Sequence, residues 1–208
     1  MRRTTRILAL VVVLLAIPLT ATAQDPVIPA DEFVYCTVCH GVQLMGNSTL
    51  KAPRLSGMET WYVERQLQAF KNGWRGDRDE DVVGSEMQPM AAALSNDQIV
   101  EVAEFVEATR SELPEQTVTG NADRGETLYL TCAACHGAAG EGSEALRSPA
   151  LAGLNDWYLA AQLRSFRDGS RGSHVEDTWG VQMRAASRVL PDDAAIADVV
   201  AYVASLTP

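Results

Sequence analysis

Positive charge is scarce in this chain. Only 17 Lys and Arg stand against 27 Asp and Glu in 208 residues, a formal net charge of −10. Phosphate binding needs clustered Lys and Arg, so this balance argues against nucleic acid as a partner. It suits docking onto a basic protein surface, although most surface charge only keeps proteins soluble. A membrane-spanning run is missing too. A span takes roughly 20 apolar residues, and the longest candidate, Ile7 to Leu19, has 13 and is broken by Pro18. No stretch shows sustained period-two alternation, which speaks against strands. Cysteine is limited to four residues and histidine to three. Four cysteines in an exported chain would ordinarily suggest two disulfides, but their spacing points elsewhere.

The first 23 residues read as a processing segment. Arg2, Arg3 and Arg6 precede the short apolar run, and Ala21-Thr22-Ala23 supplies the small residues a signal peptidase reads. The expectation is a secretory signal peptide cleaved before Gln24, a retained anchor being the other reading. Cleavage removes three Arg and takes the mature chain to −13. The implied destination is the periplasm or an equivalent oxidising space.

The cysteines fall as Cys36-Thr37-Val38-Cys39-His40 and Cys132-Ala133-Ala134-Cys135-His136, two copies of C-x-x-C-H with no cysteine left over. That pattern reads as c-type haem attachment. Two thiols three residues apart on one helical turn can add to the two vinyl groups of a single haem. The histidine that follows then lies under the porphyrin as proximal iron ligand. A thioredoxin-like redox pair or a zinc knuckle would compete for a single motif. A zinc site built from two Cys-x-x-Cys pairs has no use for a His after each. The cofactor expectation is therefore two covalently bound haem c groups.

The chain also repeats itself. A shift of 96 residues superposes Cys36 to Asp97 on the second half without a gap. Pro53, Leu55 and Gly57 meet Pro149, Leu151 and Gly153; Trp61, Tyr62, Gln66, Leu67 and Phe70 meet Trp157, Tyr158, Gln162, Leu163 and Phe166. Arg75, Gly76, Gly84 and Met87 meet Arg171, Gly172, Gly180 and Met183. Two copies are too few for a solenoid. They imply two domains, each small enough to need a staple, a role a covalent haem can fill. The division expected is a signal peptide at 1–23, an N-terminal domain at 24–113, a linker at 114–121 and a C-terminal domain at 122–208. Pro114, Gly120 and polar residues mark the boundary.

Within each copy the pattern is helical. Ser95 with Gln98 forms a capping box, followed by Ile99, Val102, Ala103 and Val106 at helical spacing. Ile196, Val199, Val200 and Val203 repeat that spacing after an Asp192-Asp193 start. A middle helix carrying Trp61, Gln66, Leu67 and Phe70 stops at Gly73, where glycine suits a left-handed cap. The fold class expected is all-α, two tandem domains each wrapped around one haem.

Methionine is the natural sixth ligand, because a soft thioether stabilises ferrous iron and raises the potential. The first half offers Met45, Met58, Met87 and Met90, and the second only Met183. Met87 and Met183 each lie 47 residues after their histidines. Met90 pairs with Ala186, so a ligand there would make the two domains differ. Any one methionine is more often core filler; matched spacing favours Met87 and Met183 and leaves Met90 as the alternative. Arg75 and Arg171 read either as partners of haem propionates or as surface arginines, His174 as a solvated loop residue, and Trp61 and Trp157 as packing.

Taken together, the two C-x-x-C-H sites, P-x-L-x-G, W-Y…Q-L…F…G-x-R-G and the Met87-Gln88-Pro89-Met90 stretch resemble the diheme class I cytochromes c, specifically the cytochrome c4-like group. The resemblance runs from about residue 30 to 206. It implies that Met87, the first methionine of its stretch, is the ligand, and that the Pro53 and Pro149 carbonyls accept hydrogen bonds from His40 and His136. The first copy lacks the Gly125-Glu126 element and has a short Pro-containing lead, so its first helix is expected to be stunted. Ala185-Ala186 stands where the first copy has Pro89-Met90. The site expected thus comprises Cys36, Cys39, His40 and Met87 with Cys132, Cys135, His136 and Met183. The function implied is electron transfer from a quinol-oxidising complex to a terminal oxidase or reductase, as a free carrier or a complex subunit. A peripheral membrane association through such a complex fits this reading. A diheme peroxidase, which needs a vacant or displaceable ligand, is the alternative, and two matched domains each with its own methionine count against it.

Overall fold

A computed structural model describes residues 33–77 and 82–208. The signal-peptide expectation lies outside the described residues. The first half holds α1 (Val34–His40), α2 (Thr60–Lys71), α3 (Val82–Ser85), α4 (Met87–Ala92) and α5 (Asn96–Ala108). The second holds α6 (Ala122–His136), α7 (Asp156–Asp168), α8 (Thr178–Ser187) and α9 (Asp193–Ser205), with a single 3₁₀ turn at Glu144–Leu146. No regular element lies between Ala108 and Ala122. The described residues contain no strand. Two isolated bridges, Asn47 with Ala52 and Ser143 with Ser148, stand 96 residues apart and repeat the symmetry of the sequence.

The helix signals act where the sequence places them. The Ser95–Gln98 capping box forms at the start of α5, with both reciprocal bonds present. Asp192 caps α9 through the Ala195 amide. Glycine is in the left-handed region after both middle helices, φ +70° at Gly73 and +88° at Gly169. The described α1 has 7 residues against 15 in α6, the asymmetry expected from the Pro-containing lead.

Each half buries its own apolar cluster. In the first, Phe33, Leu44, Val63, Leu67 and Phe70 pack with Ile99, Val102 and Val106 of α5. In the second, Tyr129 of α6 and Leu159 of α7 pack with Ile196, Val199, Val200 and Val203 of α9. Leu154, half-buried, touches both clusters. At the crossing of α6 with α9 there is no room for a side chain on Gly125, where a Cβ would come within 2.0 Å of the Asp198 carbonyl oxygen. No helix among the described residues is long and apolar enough to cross a membrane.

Candidate functional site

The two C-x-x-C-H motifs close α1 and α6, each ending on its histidine. All four cysteines are unpaired; Cys36 and Cys132 are half-buried, while Cys39 and Cys135 are exposed. Burial pushes the Cys36 and Cys132 thiols up from their ordinary pKa. Both histidines are buried. His40 Nδ1 lies 2.7 Å from the Pro53 carbonyl, and His136 Nδ1 lies 2.8 Å from that of Pro149. A carbonyl oxygen can only accept, so Nδ1 carries the proton in each ring and the Nε2 lone pair is left for a metal. Burial lowers both imidazole pKa values, and the carbonyl contact only partly offsets it.

Gly41 and Gly137, directly after the histidines, have φ +83° and +80° and turn the chain out of the helix. The Gly46 and Gly142 amides then return to the His40 and His136 carbonyls at 2.8 Å. This brings the Pro53 and Pro149 segments across the histidine rings in both halves.

The methionines separate by burial. Met87 opens α4 and packs, half-buried, against the first core, whereas Met90 is 52% exposed. Met58 is buried in that core as filler, and Met45 is exposed. Met183 sits half-buried in the middle of α8, and Ala186 is exposed.

The residues fit a covalent haem in each half. Each offers two unpaired thiols one helical turn apart, an imidazole with its outer nitrogen already engaged, and a half-buried thioether 47 residues on. No group of three or more His, Cys, Asp or Glu suited to a metal ion exists among the described residues.

Arg75 and Arg171 are not surface residues. They are 9% and 6% exposed and meet between the two halves. Arg75 donates to Gln66 Oε1 at 2.7 Å, to Gln162 Oε1 at 3.1 Å and to the Tyr158 hydroxyl at 3.2 Å. Arg171 mirrors it, donating to Gln162 Oε1 at 2.5 Å, Gln66 Oε1 at 2.7 Å and the Tyr62 hydroxyl at 3.3 Å. Each guanidinium also lies over a phenylalanine of its own half, 4.4 Å from the Phe70 centroid and 4.3 Å from that of Phe166. The side-chain partners of both among the described residues are neutral oxygens. Two buried cations side by side are costly; Asp177 lies near enough to act on Arg171, and an anionic group such as a haem propionate would add to it. Burial pushes the Tyr158 phenol up, but the two guanidiniums beside it together bring it below its ordinary value.

The half-to-half contact also holds Arg65, which pairs with Asp177 at 3.3 Å and lies over Trp74 and Trp179. His174, exposed, stacks on Trp74 rather than standing alone in solvent. Trp61 and Trp157 meet Tyr62 and Tyr158 edge-on, as packing residues do. Sequence reasoning missed Tyr62, Gln66, Tyr158 and Gln162 as interface residues. The signal was there, since all four repeat at the 96-residue shift, but a repeat does not say whether a side chain faces its own core or its twin.

The profile of the Cytochrome c family matches residues 33–110 and 122–207. A thiosulfate dehydrogenase electron acceptor from Stutzerimonas stutzeri is 38% identical over 163 residues, covering 73% of this chain and 72% of that protein. Cytochrome c4 of Thiocapsa roseopersicina is 30% identical over 183 residues, 83% of this chain and 87% of that one. Among solved structures, reduced recombinant cytochrome c4 from Pseudomonas stutzeri superposes with a TM-score of 0.68 at 26% identity, covering 84% of this chain and 95% of that one.

Proposed function

The chain belongs to the cytochrome c family and is a diheme electron carrier rather than an enzyme; from that premise we propose that each domain holds its iron between a histidine and a methionine, His40 with Met87 and His136 with Met183. The observation that carries this is the matched pair of buried imidazoles, each with Nδ1 on a proline carbonyl, which leaves Nε2 as the nitrogen to face a metal. The bound haem supplies a one-electron ferric–ferrous couple. The thiols of Cys36 and Cys39 on α1 would hold one haem, and those of Cys132 and Cys135 on α6 the other. The Pro53 and Pro149 carbonyls hold the imidazoles in one orientation and raise their basicity. Met87 and Met183 would supply the other ligand in each half, leaving no position for a substrate, and the relatives found are named as electron carriers, so the peroxidase reading has no support.

Donor and acceptor are redox proteins. A quinol-oxidising complex supplying electrons and a terminal oxidase or reductase accepting them, in the periplasm, is the reading we put first. The likeness to a protein named as the electron acceptor of thiosulfate dehydrogenase supports a second donor class, a sulfur-compound dehydrogenase. Stopped-flow reduction by each donor separates them. The axial set is tested by the weak near-infrared sulfur-to-iron band of the oxidised holoprotein. Two His–Met pairs give that band at full strength for two haems. Half strength, or a high-spin signal, would overturn the assignment for one domain. Mass spectrometry of the mature protein checks two haem additions and cleavage before Gln24 together.

A further inference from the structure

Glu59 and Asn155 hold the same place in the two copies, 96 residues apart, at the N-caps of α2 and α7. A side chain there ordinarily accepts from the free amides of its own helix. Neither does. Each reaches into the other half instead: Glu59 Oε1 accepts from the Ala150 amide at 2.8 Å, and Asn155 Oδ1 from the Arg54 amide at 2.6 Å.

Those two amides belong to the peptide units that hold the histidines. The Pro53–Arg54 unit accepts from His40 at its carbonyl and donates to Asn155 at its N–H. The Pro149–Ala150 unit accepts from His136 and donates to Glu59. Glycine keeps the approach open. A Cβ on Gly46 would lie 2.6 Å from the Arg54 nitrogen and 2.7 Å from Asn155 Oδ1, and one on Gly142 2.5 Å from the Ala150 nitrogen.

A peptide unit that donates to a strong acceptor carries more negative charge on its own oxygen. Bonds linked in such chains strengthen one another by about 10–30% each, and a carboxylate acceptor makes a bond roughly twice as strong as a neutral one. We propose that Glu59 and Asn155 are positioning residues through which each domain tunes the iron of the other. The relay runs from Glu59 through the Pro149–Ala150 peptide to His136, and from Asn155 through the Pro53–Arg54 peptide to His40. It is unequal, an anionic carboxylate on one side and a neutral amide on the other. Glu59 therefore makes His136 the more electron-rich ligand and lowers the potential of the C-terminal haem below what an amide there would give. The inference rests on the axial histidines proposed above.

The test uses the full holoprotein with Glu59→Gln and Asn155→Asp, both nearly isosteric, in redox titrations at neutral pH with the haem NMR signals assigned by domain. Glu59→Gln is expected to raise the C-terminal haem and shift the sharing of one electron towards it at least threefold, tenfold being about 59 mV for one electron. Asn155→Asp is expected to lower the N-terminal haem. In the reduced protein the His136 ring N–H resonance should move upfield in the first variant, and that of His40 downfield in the second. Equal movement of both haems, or a larger shift on the domain that carries the substitution, would show a plain charge effect and overturn the relay. Unmoved potentials with normal ring-current-shifted histidine signals would overturn the relay alone. Histidine signals without a haem ring-current shift would overturn the axial reading and the relay with it.

Discussion

Met87 and Met90 lie three residues apart on one short helix, and burial separates them. Met87 packs against the first core, and Met90 is more than half exposed. Met90→Ala is therefore expected to keep the full near-infrared band and to change stability by no more than about 0.5 kcal/mol, as for an ordinary surface site. Met87→Ala should halve the band. Near-infrared spectra of the two oxidised variants decide this, and a Met90 variant with half the band would reverse the assignment. Gly142 illustrates a different constraint at the same scale. Its φ of +79° lies where a Cβ is strained, and that Cβ would meet the Pro149 carbonyl carbon at 2.8 Å as well as the Ala150 nitrogen. Gly142→Ala should cost on the order of 1–3 kcal/mol, visible in chemical denaturation. It should also disturb the His136 environment, because the Pro149–Ala150 peptide supplies the carbonyl that holds the His136 ring.

Helices meet constraints that single residues do not show. Replacing Gly125 by Ala would improve the helix propensity of α6 by about 1 kcal/mol. It would also drive a methyl group against the Asp198 backbone of α9, and overpacking typically costs about 1–3 kcal/mol. The clash is with backbone, so the second effect wins and Gly125→Ala should lower the denaturation midpoint of the C-terminal domain; a raised midpoint would show that α6 and α9 can separate freely. Asp156, at the start of α7, ties the incoming connection to the domain. It accepts from the Thr117 hydroxyl at 2.7 Å and from the Val118 and Trp157 amides at 2.6 Å, and also from the Thr117 amide. Burial pushes its carboxyl up, but those bonds together outweigh burial and leave it below the ordinary carboxylate value. A depressed folded value stabilises above the unfolded pKa of about 3.9 and loses that stabilisation as pH falls through the folded one. Asp156→Asn should thus cost on the order of 1–3 kcal/mol at pH 7, a gap that closes towards pH 3; a gap unchanged between the two would count against this role. These elements also show what the sequence could reveal. Ser95, Gln98, Asp192 and Gly73 were legible because caps act within one turn of chain. The histidine–proline contact was legible through family resemblance alone. Glu59 and Asn155 were not legible, because an N-cap position predicts a bond to its own helix, and only the packing of two halves diverts it.

At the scale of the whole molecule, the repeat becomes a joint in which each half completes the other, and this joint takes up three arginines of the N-terminal half. Arg75 is buried in it, Arg65 pairs with Asp177, and Arg54 donates to the Gly153 carbonyl and to Ser111. Seven acids of that half meanwhile face solvent: Asp97, Glu101, Glu104 and Glu107 line exposed positions of α5, with Glu86, Glu112 and Glu115 also exposed. Residues 24–115 carry −9 and residues 116–208 carry −4, and the inward arginines make the outer field of the first half more negative than its count suggests. Steering of this kind acts on association rate and is screened over about 8–10 Å at physiological salt. Second-order electron transfer with a basic partner should therefore fall as salt is added. Reversing Glu101 and Glu104 to Lys should flatten that dependence and slow the low-salt rate several-fold, with both haem spectra unchanged. An equivalent reversal at Asp123 and Glu126, exposed on α6, should do less. Stopped-flow rates across a salt series compare the two directly. Equal effects from both reversals, or rates indifferent to salt, would mean that the negative field of the N-terminal half does not orient the carrier.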